Sequence, residues 1–262
     1  MVDTHTHLHG DEFGEDIAQI LTDMRSKSIR AVTIGTGIEE SKQAIALAEQ
    51  EPSIWASVGV HPHEALKVSV PEIQEEFVQL SNHPRVVGIG EGGFDFYYNN
   101  REESYEAQAA LFRMHIEISK QLSKPLIIHT RDSFEETIEV LSEYQGLTII
   151  LHCFTGGPEW VEKFQDLNHD IYFSFSGIVT FKNNVDHIKD SAKIIPDSNI
   201  LAETDSPYLA PVPHRGKKNQ TPYVWYVIDI LAQLRGVSFD EMDEQLDRNA
   251  ERVFGISRER YQ

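Results

Sequence analysis

The sequence predicts one α/β domain over residues 1–262, a single (β/α)8 TIM-type barrel with an extra C-terminal helix. Three observations lead there. Eight short apolar runs alternate with longer stretches whose apolar residues recur at a three-and-four spacing. Each run is too continuously apolar for a sheet with one wet face, which points to parallel strands covered by helices. No glycine-rich dinucleotide fingerprint follows the first run, which favours closure over an open doubly wound sheet.

The elements follow in order. VDTHTHL (2–8) reads as the first strand, and DIAQILTDMRSKS (16–28) as a helix with Ile17, Ile20, Leu21 and Met24 on one face. The strands RAVTIGT (30–36) and SIWASVGVH (53–61) are separated by the helix-like EESKQAIALAEQ (39–50). PEIQEEFVQLSNH (71–83) leads into VVGIGEGG (86–93), and YEAQAALFRMHIEISKQL (105–122) into PLIIHT (125–130). SFEETIEVLSEY (133–144) precedes LTIILHCF (147–154), EWVEKFQDL (159–167) precedes IYFSFSG (171–177), and VDHIKDSA (185–192) precedes NILAETD (199–205). TPYVWYVIDILAQLRG and SFDEMDEQLDRNAERVFG supply the last helices.

Composition narrows the function. A formal charge of −19 argues against adhesion to nucleic acid or anionic membrane through a broad basic face. A phosphate-containing substrate stays possible, because bound cations reverse the field locally. One cysteine, Cys153, excludes an internal disulfide framework and fits a reducing compartment. No apolar stretch has membrane length, and no basic-then-apolar leader opens the chain. A cytoplasmic protein with no membrane association and no stable protein partner is the expectation.

The polar residues then fall at the strand ends, where barrel enzymes carry their sites. The first run ends with His5 and His7, which share a face in extended chain, and His9 follows. The third ends with His61 and His63, the fourth with Glu91 and then Asp95, and the fifth with His129, Arg131 and Asp132. His152 ends the sixth, and Glu203 and Asp205 the eighth. A lone strand-end histidine is more often a hydrogen-bonded core residue than a ligand. Repetition at five ends that a barrel brings to one rim outweighs that reading. His5, His7, Glu91, His129, His152 and Asp205 form a mixed nitrogen and oxygen set suited to divalent transition metals. Six ligands exceed one tetrahedral zinc and suit two ions, with Glu91 as the shared carboxylate and a spacing of roughly 3.5–4 Å.

VDTHTHL, GVHPH, GEGGFD, PLIIHTRD, LHCFTG and ETDSPYL occur in this order along nearly the whole chain. Together they resemble the TatD-type metal-dependent deoxyribonucleases, part of the amidohydrolase-like group of metal-dependent barrel hydrolases. The resemblance implies the same six metal ligands, and two divalent cations of zinc, manganese or magnesium. It also implies DNA phosphodiesters or oligonucleotides as substrate, cleaved by a metal-activated water. One departure stands out: the family usually reads G-E-I-G-L-D-Y where this chain reads GEGGFDF, with Gly92, Phe94 and Phe96 in place of larger or different side chains.

Glu91 and Asp205 are then the catalytic candidates, Asp205 as general base or water orienter. His61, His63 and Arg131 are candidates for the phosphate, the planar guanidinium by pairing with two oxygens. A salt bridge to Asp132 is an equal reading of Arg131. Ser174 and Ser176 are better read as turn residues than as substrate donors. PVPHRGKKNQTP (211–222) is a basic island after the last strand, so His214, Arg215, Lys217 and Lys218 are expected over the same rim as substrate contacts. The aromatics of FDFYY (94–98) could stack on bases, although packing of the loop is the stronger expectation. Two rivals remain: hydrolysis of another ester, amide or lactone on the same barrel, and a non-catalytic nucleic-acid-binding protein that retains its metals.

Overall fold

The computed structural model describes residues 1–97 and 99–257. Tyr98 of the FDFYY stretch and the last five residues of the expected domain lie outside the described residues. Eight strands form one sheet in sequence order: β1 (Val2–Thr6), β2 (Arg30–Thr33), β3 (Ile54–Val58), β4 (Val86–Asp95), β5 (Leu126–Arg131), β6 (Thr148–Leu151), β7 (Asp170–Phe175) and β8 (Ile200–Ala202). Every neighbouring pair is parallel. The seam between β1 and β8 closes through the Thr4 hydroxyl, which donates to the Ala202 carbonyl at 3.0 Å. It continues above the strands, where Asp205 N donates to His5 O and His7 N to Ser206 O. The barrel is nearly closed, as the alternation predicts.

Nine helices surround it among the described residues: α1 (Ile17–Ser26), α2 (Ile38–Gln50), α3 (Val70–Ser81), α4 (Arg101–Leu122), α5 (Phe134–Leu141), α6 (Pro158–Gln165), α7 (Asp186–Ile194), α8 (Val224–Arg235) and α9 (Phe239–Phe254). None is long and apolar enough to cross a membrane. α4 starts at Arg101, a turn earlier than the periodicity suggests, because the Asn100 side chain caps it by accepting from Glu102 N at 2.9 Å.

The extra helix has a definite job. α9 opens with a capping box, in which Ser238 and Glu241 satisfy each other's amides, and it ends at Gly255 in the left-handed region. Its Ala250, Val253 and Phe254 join Val32, Ile34, Ile127, Ile150, Tyr172 and Leu201 in one buried cluster. Polar contacts pin it to the strand starts. Arg252 reaches the Tyr172 hydroxyl, Asn249 donates to Ile200 O, and Asp247 pairs with Arg30 and with the amino group of Met1. The N-terminal face of the barrel is therefore plugged, and solvent enters from the other end.

Several strands are shorter than the apolar runs suggest. β1 stops at Thr6, β3 at Val58, β6 at Leu151 and β8 at Ala202. His7, His61, His152, Glu203 and Asp205 therefore sit just beyond strand ends. Their amides still donate to backbone carbonyls, as His152 N does to Ile128 O and Glu203 N to Phe175 O, and a side chain takes over one residue later: Cys153 N donates to Glu203 Oε1 at 2.8 Å, with Cys153 at φ 44°. Such strained positions persist where the surroundings over-determine them.

Candidate metal centre

β1, β4, β5, β6 and the turn after β8 deliver six side chains to one point. Glu91 lies at its centre, nearly fully buried. Its Oε2 faces His5 Nε2 at 3.1 Å and His7 Nε2 at 4.0 Å. Its Oε1 faces His129 Nδ1 at 2.9 Å and His152 Nε2 at 3.3 Å. Asp205 Oδ1 completes the first side, 3.4 Å from His7 Nε2 and 3.6 Å from His5 Nε2. On the second side His129 Nδ1 and His152 Nε2 lie 3.1 Å apart. One carboxylate thus spans two groups of donors, one on each oxygen.

The far nitrogens fix the rings. His7 Nδ1 donates to Ile34 O, His129 Nε2 faces Asp95 Oδ2 at 3.0 Å, and His152 Nδ1 faces Glu203 Oε1 at 3.3 Å. A carboxylate or carbonyl behind a metal-ligating imidazole sets its tautomer and raises its basicity. Asp95 and Glu203 therefore have roles that their place at strand ends hinted at without specifying. His61 differs. Its Nδ1 accepts from His63 N at 3.1 Å, so the neutral ring carries its proton on Nε2 and donates toward Glu91 Oε1 at 3.3 Å. It is a donor here rather than a ligand.

The donor set fits divalent cations. Both ring nitrogens of His5 are buried and complete no hydrogen bond, while Nε2 is aimed between two carboxylates. An unmade bond of this kind costs about 1–3 kcal/mol, which a cation at Nε2 would remove. Burial works against every charge in the cluster. It lowers His5, reinforced by the stacked His152 ring 3.9 Å away. It is outweighed at Glu91, which His152, His61 and His129 hold well below the usual carboxylate range. It is outweighed likewise at His152, raised by Glu91 and Glu203, at His129, raised by Asp95 and Glu91, and at Asp205, kept low by His7 and His5. Burial, with His129 beside it, pushes His61 down to about 4.

The chain's GEGGFDF departure has a physical explanation. A Cβ on Gly92 would come within 2.9 Å of the His115 ring, so this ring leaves no room for a side chain at position 92. Phe94 is buried against Phe112 and Tyr105, and Arg101 lies over Phe96. The loop aromatics are thus mostly packing, with Tyr97 alone among the described ones at the mouth.

A cleft of about 1590 Å³ opens over this cluster, lined by His7, His61, His63, Glu91, Asp95, His129, His152 and Asp205 among others. A family profile described as TatD related DNase matches residues 2–255. The chain belongs to the TatD family. Its relatives there include the Bacillus subtilis protein named uncharacterized metal-dependent hydrolase YabD, 34% identical over 98% of this chain and the whole of the relative. The Escherichia coli protein named uncharacterized metal-dependent hydrolase YcfH is 36% identical over all of this chain and 98% of its own. In shape, the TatD homologue YjjV of Escherichia coli superposes with a TM-score of 0.89 at 24% identity, covering 98% of each chain. This TatD protein is a metal-dependent hydrolase on a TIM-type barrel.

The expected substrate contacts divide. His61, His63 and Arg131 line the TatD cleft, with the Arg131 guanidinium 3.7 Å from the Tyr97 ring centroid rather than on Asp132. The basic island stands apart from these. None of His214, Arg215, Lys217 and Lys218 lines the cleft. His214 stacks on Tyr223 and bonds the Tyr226 hydroxyl, Arg215 lies over Phe181, and Lys218 pairs with Asp16. The contacts of the island run to the segment after β7 and to the segment after β1. Ser174 and Ser176 are structural: one meets the Thr4 hydroxyl, the other caps a short helical turn.

Proposed function

We propose that this TatD protein is a deoxyribonuclease that hydrolyses DNA phosphodiester bonds. The observation that carries the reading is Glu91, which presents one carboxylate oxygen to His5 and the other to His129 and His152. His5, His7 and Asp205 would hold one cation and His129 and His152 the other, with Glu91 between them. A cation pair so held supplies a nucleophilic water near neutral pH and offsets charge on the phosphoryl oxygens. The chain's own residues do the rest. Asp205, ionised beside His7, accepts a proton at its carboxylate. His61 offers its Nε2 proton to a phosphoryl oxygen, and His63 extends the same wall. Arg131, now over the Tyr97 face, would exchange that face for two phosphate oxygens.

A second reading rests on the rim, where Asp11, Glu12, Glu39, Glu40, Glu64, Asp132 and Glu135 line the cleft. Carboxylates there repel a long polyanion and favour a small ester, amide or lactone. A substrate panel tests both readings with protein carrying Mn2+, Zn2+ or Mg2+. Single-stranded DNA, RNA and small amide and lactone substrates are compared at two salt concentrations. The nuclease reading expects DNA to be cleaved fastest, with added salt helping by screening the rim. Turnover of small amides or lactones with DNA intact would overturn it.

A further inference from the structure

We propose that His115, on the outer face of the barrel, is the positioning residue that seats His61 and Glu91, and that position 92 is glycine to admit its ring. His115 projects from α4 and is fully buried. Its Nδ1 donates to Leu111 O at 2.8 Å, which leaves Nε2 as an acceptor. That acceptor takes the amide of Val60 at 3.0 Å. Val60 lies past the end of β3, where no strand ladder exists to receive its N–H, and the next residue is His61. A buried amide needs an acceptor, so the imidazole stands in for the missing strand partner.

The connection to Glu91 runs through two close approaches. On one side, the His115 ring atoms lie 2.9–3.1 Å from where a Gly92 Cβ would be, and Gly92 follows Glu91 directly. On the other, a Cβ on Gly59 would land on the backbone of Gly90 and Glu91, so the residue after β3 and the middle of β4 touch main chain to main chain. Ser57 ties them further by donating to Gly90 O at 2.6 Å, and Glu91 N donates to Gly35 O at 3.2 Å. Phe77 closes the far side of the ring edge-on at 4.9 Å. The ring is therefore clamped by α3, its own helix, the segment after β3 and the middle of β4. A displacement of His115 reaches His61 through the hydrogen bond to the preceding Val60 amide and Glu91 through the close approach to the backbone of the following Gly92.

The role is separable from mere core filling. His115→Phe keeps the bulk but offers Val60 no acceptor, whereas His115→Gln can both accept from Val60 and donate to Leu111. Hydrolysis kinetics and calorimetric Mn2+ affinity are measured for both variants, with thermal unfolding as the control for folding. The expected result for His115→Phe is a folded protein whose kcat falls tenfold or more and whose Mn2+ affinity drops, with KM changed less. His115→Gln restores most of both. Gly92→Ala gives the same pair of losses, and the double change Gly92→Ala, His115→Ala recovers part of the Mn2+ affinity. If folded His115→Phe matches wild type in kcat and Mn2+ affinity, the proposal is wrong, even where the protein remains a nuclease. It is equally wrong if Phe and Gln variants lose both quantities to the same degree.

Discussion

The two ends of the barrel are built on opposite principles. The floor closes on itself: apolar side chains from seven strands share one buried cluster with Val253 and Phe254 of α9, and around the margin opposite charges meet, Asp247 against Arg30 and the Met1 amino group. The mouth is unsatisfied by its own atoms. There, imidazoles crowd one buried carboxylate, and the His5 nitrogens complete no hydrogen bond. Apolar burial with opposite charges paired produces stability, whereas ligating nitrogens and carboxylates held convergent in fixed geometry produce affinity for a cation. The difference separates the residues that keep the fold from those that hold cations.

Substitutions at each end sharpen that contrast. Glu91→Ala is the largest effect expected on turnover, a loss on the order of a thousandfold or more, because both donor groups lose their shared ligand. Its unfolding curve without metal stays near that of wild type. Phe254→Ala reverses the pattern: a buried aromatic is removed from the floor, costing about 3–5 kcal/mol in denaturant unfolding, while kcat of the folded fraction is kept. If Phe254→Ala abolished turnover with the fold intact, the two ends would not be separable. Acid comes next. Burial holds His115 at about 4, below its unfolded value near 6.5, so the unfolded chain binds more protons between those pH values. Stability should be full above about 6.5 and fall as pH drops toward 4, by about 3 kcal/mol from this group. The His115→Phe variant should show a flatter acid limb. Smallest is Glu203→Gln, which weakens the hold on His152 and should cost about ten- to a hundredfold in metal affinity or rate.

Much of this was legible in the sequence because the relevant signals are periodic or terminal. Alternating apolar runs and helical spacing gave every strand and helix of the barrel in order, and the polar groups closing those runs gave the cluster around Glu91. Strand ends were overestimated because apolar character continues past the last ladder bond, as in Val58 to Val60. His115 was invisible, being one polar residue inside a helical rhythm whose partner is an amide fifty-five positions away. What the basic island touches could not be read, because adjacency to β8 in sequence does not fix direction: Arg215 lies over Phe181 and Lys218 pairs with Asp16. That α9 plugs the floor could not be read either, since its apolar stripe resembles that of any covering helix.

Metal content measured beside hydrolysis, before and after chelation and readdition, tests the central claim most directly. At least two equivalents of divalent cation per chain are expected, with turnover lost on chelation and recovered on readdition, and with Glu91→Ala retaining fewer equivalents. Full hydrolysis by chelated protein, or wild type that takes up no divalent cation, would contradict the account.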